Sequence, residues 1–208
     1  MNGNLLKAAA LLVTLVLASC EAPKPSSEAK TDSGAKEASA PSGPVSGKTA
    51  FWEMYKSAHS WAADLVPLSL ESKSVPGVKN GEGKAAMWTA TFGSPRRQEA
   101  RAFSYSVIAS PPDIYKGVTV GNSLPWMGPT PAALAFATSD LAVDSDAAYA
   151  TASAQAAPWT KSHPGKEVSF TLGSAERFAG PVWYVLWGDK KSGYAVFVDA
   201  KTGTVIKK

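Results

Sequence analysis

Few side chains in this 208-residue chain have both the type and the spacing to do chemistry. Lys201-Thr202-Gly203 has the composition of one wall of a serine acyl-transfer site. Such a site also needs Ser-x-x-Lys on a helix and Ser-Asp-Asn. Ser27-x-x-Lys30 and Ser33-x-x-Lys36 lie in a stretch too polar to fold, and Ser139-Asp140 is followed by Leu141. Gly81-Glu82-Gly83-Lys84 has part of a phosphate loop, but Ala85 stands where Ser or Thr would meet magnesium and Val78 where the first Gly belongs. Asp140, Asp144 and Asp146 could suggest calcium. An EF-hand loop starting at Asp144 would need Gly at 149 and Glu at 155, where the chain has Tyr149 and Gln155. His59 and His163 are the only histidines, and neither has a partner at metal-ligand spacing. No Gly-x-Ser-x-Gly elbow is present. The expectation is therefore no enzyme, no catalytic residue, no metal site and no cofactor. The binding residues stay unassigned.

The remaining reactive group is Cys20, the only cysteine, so an intrachain disulfide is excluded. It follows a short segment carrying Lys7 and then a ten-residue apolar run, Ala8 to Leu17. As a helix that run reaches about 15 Å, half of a hydrocarbon core. This is the length of a signal-peptide core. Leu17-Ala18-Ser19-Cys20 resembles the lipobox of bacterial lipoproteins. The resemblance implies removal of residues 1–19 and diacylglycerol on the Cys20 thiol. It further implies a palmitate-type acyl chain on the freed amine in many Gram-negative hosts. Two or more chains anchor a protein stably. The expected location is extracytoplasmic. It is the periplasmic face of the outer membrane in a Gram-negative host, which the absence of Asp after Cys20 favours, and the outer face of the cell membrane otherwise.

Residues 20–48 are expected to be the lipidated cysteine and a disordered linker. Glu21 to Lys48 is almost entirely Ala, Ser, Pro, Gly, Lys and Glu, without an aromatic. Such a segment cannot bury enough apolar surface to offset its ordering entropy. As a coil it spans on the order of 30 Å and lifts the folded part off the membrane. The chain's net charge is only +4 and its bases are scattered. The cluster Arg96-Arg97 with Arg101 reads as a solvated hairpin loop, so no nucleic-acid partner is expected.

The elements that follow read as α+β. Phe51, Met54, Ala58, Trp61, Ala62 and Leu65 form one apolar stripe, predicting a helix over 51–65 with Thr49 as N-cap and an end at Val66-Pro67. Alternation predicts strands at Ala85–Phe92 and Phe103–Ile108, with a turn-rich loop between them, and allows a short strand at Gly117–Val120. Ser145 can cap a second helix from Asp146 to about Ala157, ended by Pro158. Strands follow at Val168–Leu172, Val182–Trp187, Tyr194–Val198 and Thr204–Ile206. Trp88-Thr-Ala-Thr-Phe92-Gly93 matches Trp183-Tyr-Val-Leu-Trp187-Gly188 at an offset of 95. This predicts two tandem helix-plus-antiparallel-sheet units, 49–131 and 132–208. Trp61, Trp88 and Trp183 sit on apolar faces and read as core. Trp126 and Trp159 stand beside prolines, where they either anchor a ligand or plug the sheet ends.

Trp183-Tyr-Val-Leu-Trp-Gly, then Tyr194-Ala-Val-Phe-Val-Asp199-Ala-Lys-Thr-Gly203-Thr-Val, resembles the end of a PepSY domain, and Val143-Asp-Ser-Asp-Ala-Ala-Tyr149 resembles its helix entry. The resemblance covers residues 140–208, and residues 49–131 form a weaker copy. It implies a small helix on an antiparallel sheet and a binding or inhibitory role, with an envelope protein or peptidase as partner. The other readings are a structural or assembly lipoprotein and, less favoured, a hydrolase with an unrecognised site.

Overall fold

The computed structural model describes residues 43–207. Cys20, the signal segment and the spacer up to residue 42 lie outside the described residues. Ten strands and two helices follow in the order β1 (Val45–Ser46), α1 (Gly47–Trp61), β2 (Val66–Lys73), β3 (Lys84–Ala85), β4 (Met87–Ser94), β5 (Glu99–Ser106), β6 (Gly117–Pro125), α2 (Ser145–Ser162), β7 (Val168–Gly173), β8 (Val182–Trp187), β9 (Tyr194–Asp199) and β10 (Val205–Ile206), with a 3-10 turn at Thr138–Asp140. The class is α+β, built from two helix-plus-antiparallel-sheet units in tandem.

The two meanders β2-β4-β5-β6 and β7-β8-β9-β10 join edge to edge through the antiparallel pair β2–β7. The result is one eight-stranded sheet in the order β10-β9-β8-β7-β2-β4-β5-β6. The first strand of each unit is therefore central and the last is an edge. Both helices cover the same face. α1 buries Ala50, Phe51, Met54 and Ala58 against β4 and β5. Phe51 meets Phe92 with ring centroids 5.7 Å apart, and Phe92 meets Phe103 at 5.8 Å. Burying each such phenyl ring stabilises by about 2–3 kcal/mol. α2 presents a stripe of small residues, Ala148, Ala152 and Ala156, which brings its backbone close to β8 and β9. Tyr149 fills the flank between Phe170 and Trp187.

Trp88 and Trp183 meet edge to face at 6.3 Å under the seam, both fully buried. Each donates its indole N–H to the carbonyl of the residue two before a helix: Trp88 to Val45 and Trp183 to Val143, both at 3.0 Å. Burying an indole this deeply requires such a partner. The repeat is thus a repeated hydrogen bond as well as a repeated pattern.

Several boundaries differ from the sequence reading. Val45 to Lys48, assigned to the spacer, form β1 and the first turn of α1. Ser46, not Thr49, caps α1, and the helix ends at Trp61 rather than Leu65. Val66-Pro67 begins β2, a strand the reading missed because Pro argues against a central strand. Pro67 is accommodated where the β2–β4 register shifts between Pro67 and Ser69. β5 begins at Glu99, inside the expected loop, and β6 runs on to Pro125. Asp144 rather than Ser145 caps α2, and the helix passes through Pro158 to Ser162. Trp159, just beyond that proline, stacks on Tyr194 at 6.0 Å and on His163 at 4.2 Å, which holds the last turn despite the missing N–H. His59 is exposed and touches Tyr55 edge to face at 4.7 Å.

Candidate functional site

The sheet face opposite the helices is the surface available for binding. Directly paired residues share a face, so one row can be followed across all eight strands: Thr119, Ser104, Thr89, Glu71, Thr171, Tyr184, Phe197 and Ile206. The row is chemically divided. On the first unit it is hydroxyl-rich, with Thr89 and Ser104 hydrogen-bonded at 2.8 Å. Glu71 at the seam is paired with Lys73 at 2.7 Å. On the second unit it becomes aromatic.

That aromatic half is the floor of a cleft of about 510 Å³. Tyr184 and Phe197 sit in direct cross-strand register with rings 5.1 Å apart, and Phe178, from the loop between β7 and β8, packs on Phe197 at 5.3 Å. The Arg177 guanidinium carbon lies 4.7 Å from the Phe178 ring centre and 5.4 Å from that of Phe197. One wall is Ala132 and Ala133, from the connection between the units. That connection is fastened by main-chain bonds of Leu134 N–H to Ser174 (2.9 Å) and Glu176 N–H to the Pro131 carbonyl (2.8 Å). The two charged side chains lining the cleft, Arg177 and Lys190, are both cationic.

The residues tested for catalysis are scattered. Asp140 pairs with Lys201 at 3.4 Å, and Asp146 accepts from the Ala147 N–H. Asp144 accepts from Lys48 N–H (2.8 Å), Ser145 N–H (2.6 Å) and the Ser46 hydroxyl (2.6 Å), so it caps both helices where their N-termini meet. Among the described residues, no group of three or more His, Cys, Asp or Glu is placed to hold a metal ion. Lys201-Thr202-Gly203 is the β9–β10 turn. Gly203 takes φ 75°, and Asp199 accepts from the N–H groups of Lys201 and Thr202 at 2.8 Å each. Burial pushes the Asp199 carboxyl up, and these bonds outweigh it, so the group stays below its ordinary value. Gly81 and Lys84 close a turn on which Gly83 lies against the backbone of α2. The arginine cluster belongs to the β4–β5 turn. Arg96 N–H and the Ser94 hydroxyl each donate to Asp64 at 2.8 Å and hold its carboxyl below the ordinary value. Arg97 lies over Trp61, and Arg101 Nε donates to the Gly121 carbonyl at 2.8 Å.

No family model matches the sequence, and no curated protein matches it. Among solved structures it is similar to a candidate lipoprotein from Clostridium difficile 630, at 11% identity and a TM-score of 0.47 over 76% of this chain and 90% of that one. Likeness at that level implies nothing about function.

The cleft residues carry a signal in the sequence other than alternation. Val182-Trp-Tyr-Val-Leu-Trp187 is apolar at both parities, so both of its faces need cover. The helix face takes Trp183, Val185 and Trp187. The opposite face leaves Val182 and Leu186 buried and Tyr184 half-buried. A second surface is the outer edge of β6, whose backbone is paired, among the described residues, with β5 alone. Val120 and Leu124 on it, and Met127 just beyond, are exposed. No helix among the described residues is long and apolar enough to cross a membrane.

Proposed function

We propose that this chain is a lipid-anchored, non-enzymatic binding module of the bacterial envelope, held by acyl chains on Cys20. It captures a segment of an envelope protein or peptidase on the open face of its sheet. The observation that carries this reading is the aromatic cleft formed by Tyr184, Phe197 and Phe178 beneath Arg177, on a face that no helix among the described residues covers. Three rings grouped on a face left open are what a binding hot spot requires, since aromatic and arginine side chains dominate such contacts. The resemblance of residues 140–208 to a PepSY domain agrees with a binding or peptidase-modulating role. The polar, aromatic-free composition of residues 21–42 fits the same reading, since a spacer of that kind would separate the module from the headgroups.

The test is photo-crosslinking in intact cells, with a benzophenone amino acid placed at position 184, at 197, at 120 on the β6 edge, or at 56 on the exposed side of α1. Adducts from 184 and 197, and none from 56, are expected. Adducts confined to 120 would move the site to the sheet edge. Absence of adducts at all four positions would overturn the reading in favour of an assembly role carried by anchor and spacer. Intact-mass analysis of the mature protein checks the anchor: the mass should begin at Cys20 and include fatty acid.

A further inference from the structure

The cleft's chemistry specifies its occupant more closely than the function proposed above, on which this inference rests. Arg177 and Lys190 enter none of the ion pairs among the described residues. Arg177 is exposed, and its recorded contacts are the two phenyl rings. A guanidinium supported on rings loses little further side-chain freedom on binding, and its five N–H donors fit a carboxylate in a bidentate fork. Among the described residues no carboxylate lines the cleft to neutralise this charge. Glu71, on the same face, is already paired with Lys73. The floor beside the guanidinium is apolar, formed by Leu68, Val182, Tyr184 and Phe197. The site therefore offers a cation and a ring surface side by side.

Its extent is informative as well. The floor draws residues from β2, β7, β8 and β9, three strand spacings, or about 14 Å across the sheet. That is the reach of about four residues of extended chain. The Thr171 and Tyr184 hydroxyls along this line can hydrogen-bond a peptide backbone. We propose that the cleft takes an extended acidic peptide segment in which a carboxylate side chain alternates with an aromatic or aliphatic one. The carboxylate meets Arg177 with Lys190 in support, and the apolar side chain lies on the Tyr184–Phe197 pair.

The test uses the full mature lipidated protein in neutral vesicles and three tetrapeptides labelled with fluorescein on the N-terminal amine: fluorescein-Glu-Phe-Glu-Phe-amide, its Gln analogue and its Lys analogue. Fluorescence polarisation should rank Glu well above Gln, and Gln above Lys, with the Glu advantage shrinking as salt rises. Arg177→Gln should weaken the Glu peptide about tenfold and the Gln peptide several-fold less, so that the ratio between the two shrinks. Tyr184→Ser should weaken the Glu and Gln peptides alike. A benzophenone version of the Glu peptide should label the chain between residues 171 and 197. Equal binding of the Lys peptide, no saturable binding at millimolar peptide, or labelling confined to the β6 edge would overturn the proposal. If cells yield adducts from 184 and 197 while the peptides show no acidic preference, the acidic specificity fails and the binding function stands. If no adducts form in cells, both fail.

Discussion

Asp144 is the side chain on which the joint between the two units depends most, and Asp144→Ala is the sharpest test of the fold argument. A helix exposes unpaired N–H groups in its first turn, and one carboxylate here serves two helices. For α2 it is the N-cap, and loss of an N-cap side chain costs about 1 kcal/mol. For α1 it accepts the Lys48 N–H at 2.8 Å and the Ser46 hydroxyl at 2.6 Å, across 96 and 98 residues of sequence. Stripping a part-buried donor of a charged acceptor costs a further 1–2 kcal/mol or so. The two positive helix ends also lose the charge between them. The sum is about 2–3 kcal/mol, which for a domain of this size lowers Tm by about 4–12 °C. Urea unfolding of the purified protein reads it directly, with an unchanged m-value expected. Asp144→Asn should recover part of the loss, since Asn caps well but cannot accept on both side-chain atoms. Ser46→Ala combined with Asp144→Ala should be non-additive, because the two side chains share a hydrogen bond. A loss for Asp144→Ala below about 0.5 kcal/mol, the level of an ordinary surface change, would refute the claim that this carboxylate joins the units.

Gly83→Ala should cost several kcal/mol, because a Cβ there would overlap the Asp146 backbone and Gly83 adopts φ +74°, whereas Gly81→Ala, with open space around it, should be nearly silent in the same urea assay. Trp88→Phe and Trp183→Phe should each cost about 1–3 kcal/mol, mainly by leaving the Val45 or Val143 carbonyl without its donor. The Asp189 carboxyl is held down to about 2, first by the Ser192 hydroxyl and then by the N–H groups of Ser192 and Lys191. Because the folded value lies below the ordinary 3.8, its support of the β8–β9 hairpin is complete above that value and drains as pH falls toward 2. Amide exchange of Ser192 should quicken over that window, and Asp189→Asn should abolish the dependence. Cys20→Ala should leave the protein unacylated, which fractionation of cells would show as loss from the membrane pellet.

How much of this was legible in the sequence follows from which signals are local. α1 and the strands β4 and β9 are legible in periodicity, because each has one face in the core and one outside it, whereas β8 shows as an unbroken apolar run and α2 through its capping residues. The Asp199 to Gly203 turn was readable from residue type alone, since a positive φ and side-chain bonds to its own backbone are short-range requirements. The central strand β2 was not legible. Its Pro67 is tolerated only through a register shift that depends on the partner strand β4. The helix caps were misplaced for a related reason. Ser46 and Asp144 are chosen by each other across 98 residues, and no local window contains both. The cleft was missed because its residues come from four strands, a loop, a hairpin and the connection between units, which only the sheet order brings together.

The two units share a plan that constrains one face and leaves the other open to change. On the helix face the demands are equal: a buried tryptophan answers a carbonyl before each helix, and small or apolar helix residues cover the strands. The open face has no such requirement, and there the units diverge. Thr89 and Ser104 in the first unit hydrogen-bond each other, which leaves little to offer a ligand. Tyr184 and Phe197 take up the matching cross-strand relationship in the second unit, with an arginine above the neighbouring ring. A fold that only needed to be stable would gain from making this face polar throughout, because exposed rings invite association. The aromatic pair contributes cross-strand packing, but the shared plan does not require it, and the binding role proposed above would account for the rings, the cations outside the ion pairs and the lack of helix cover among the described residues together.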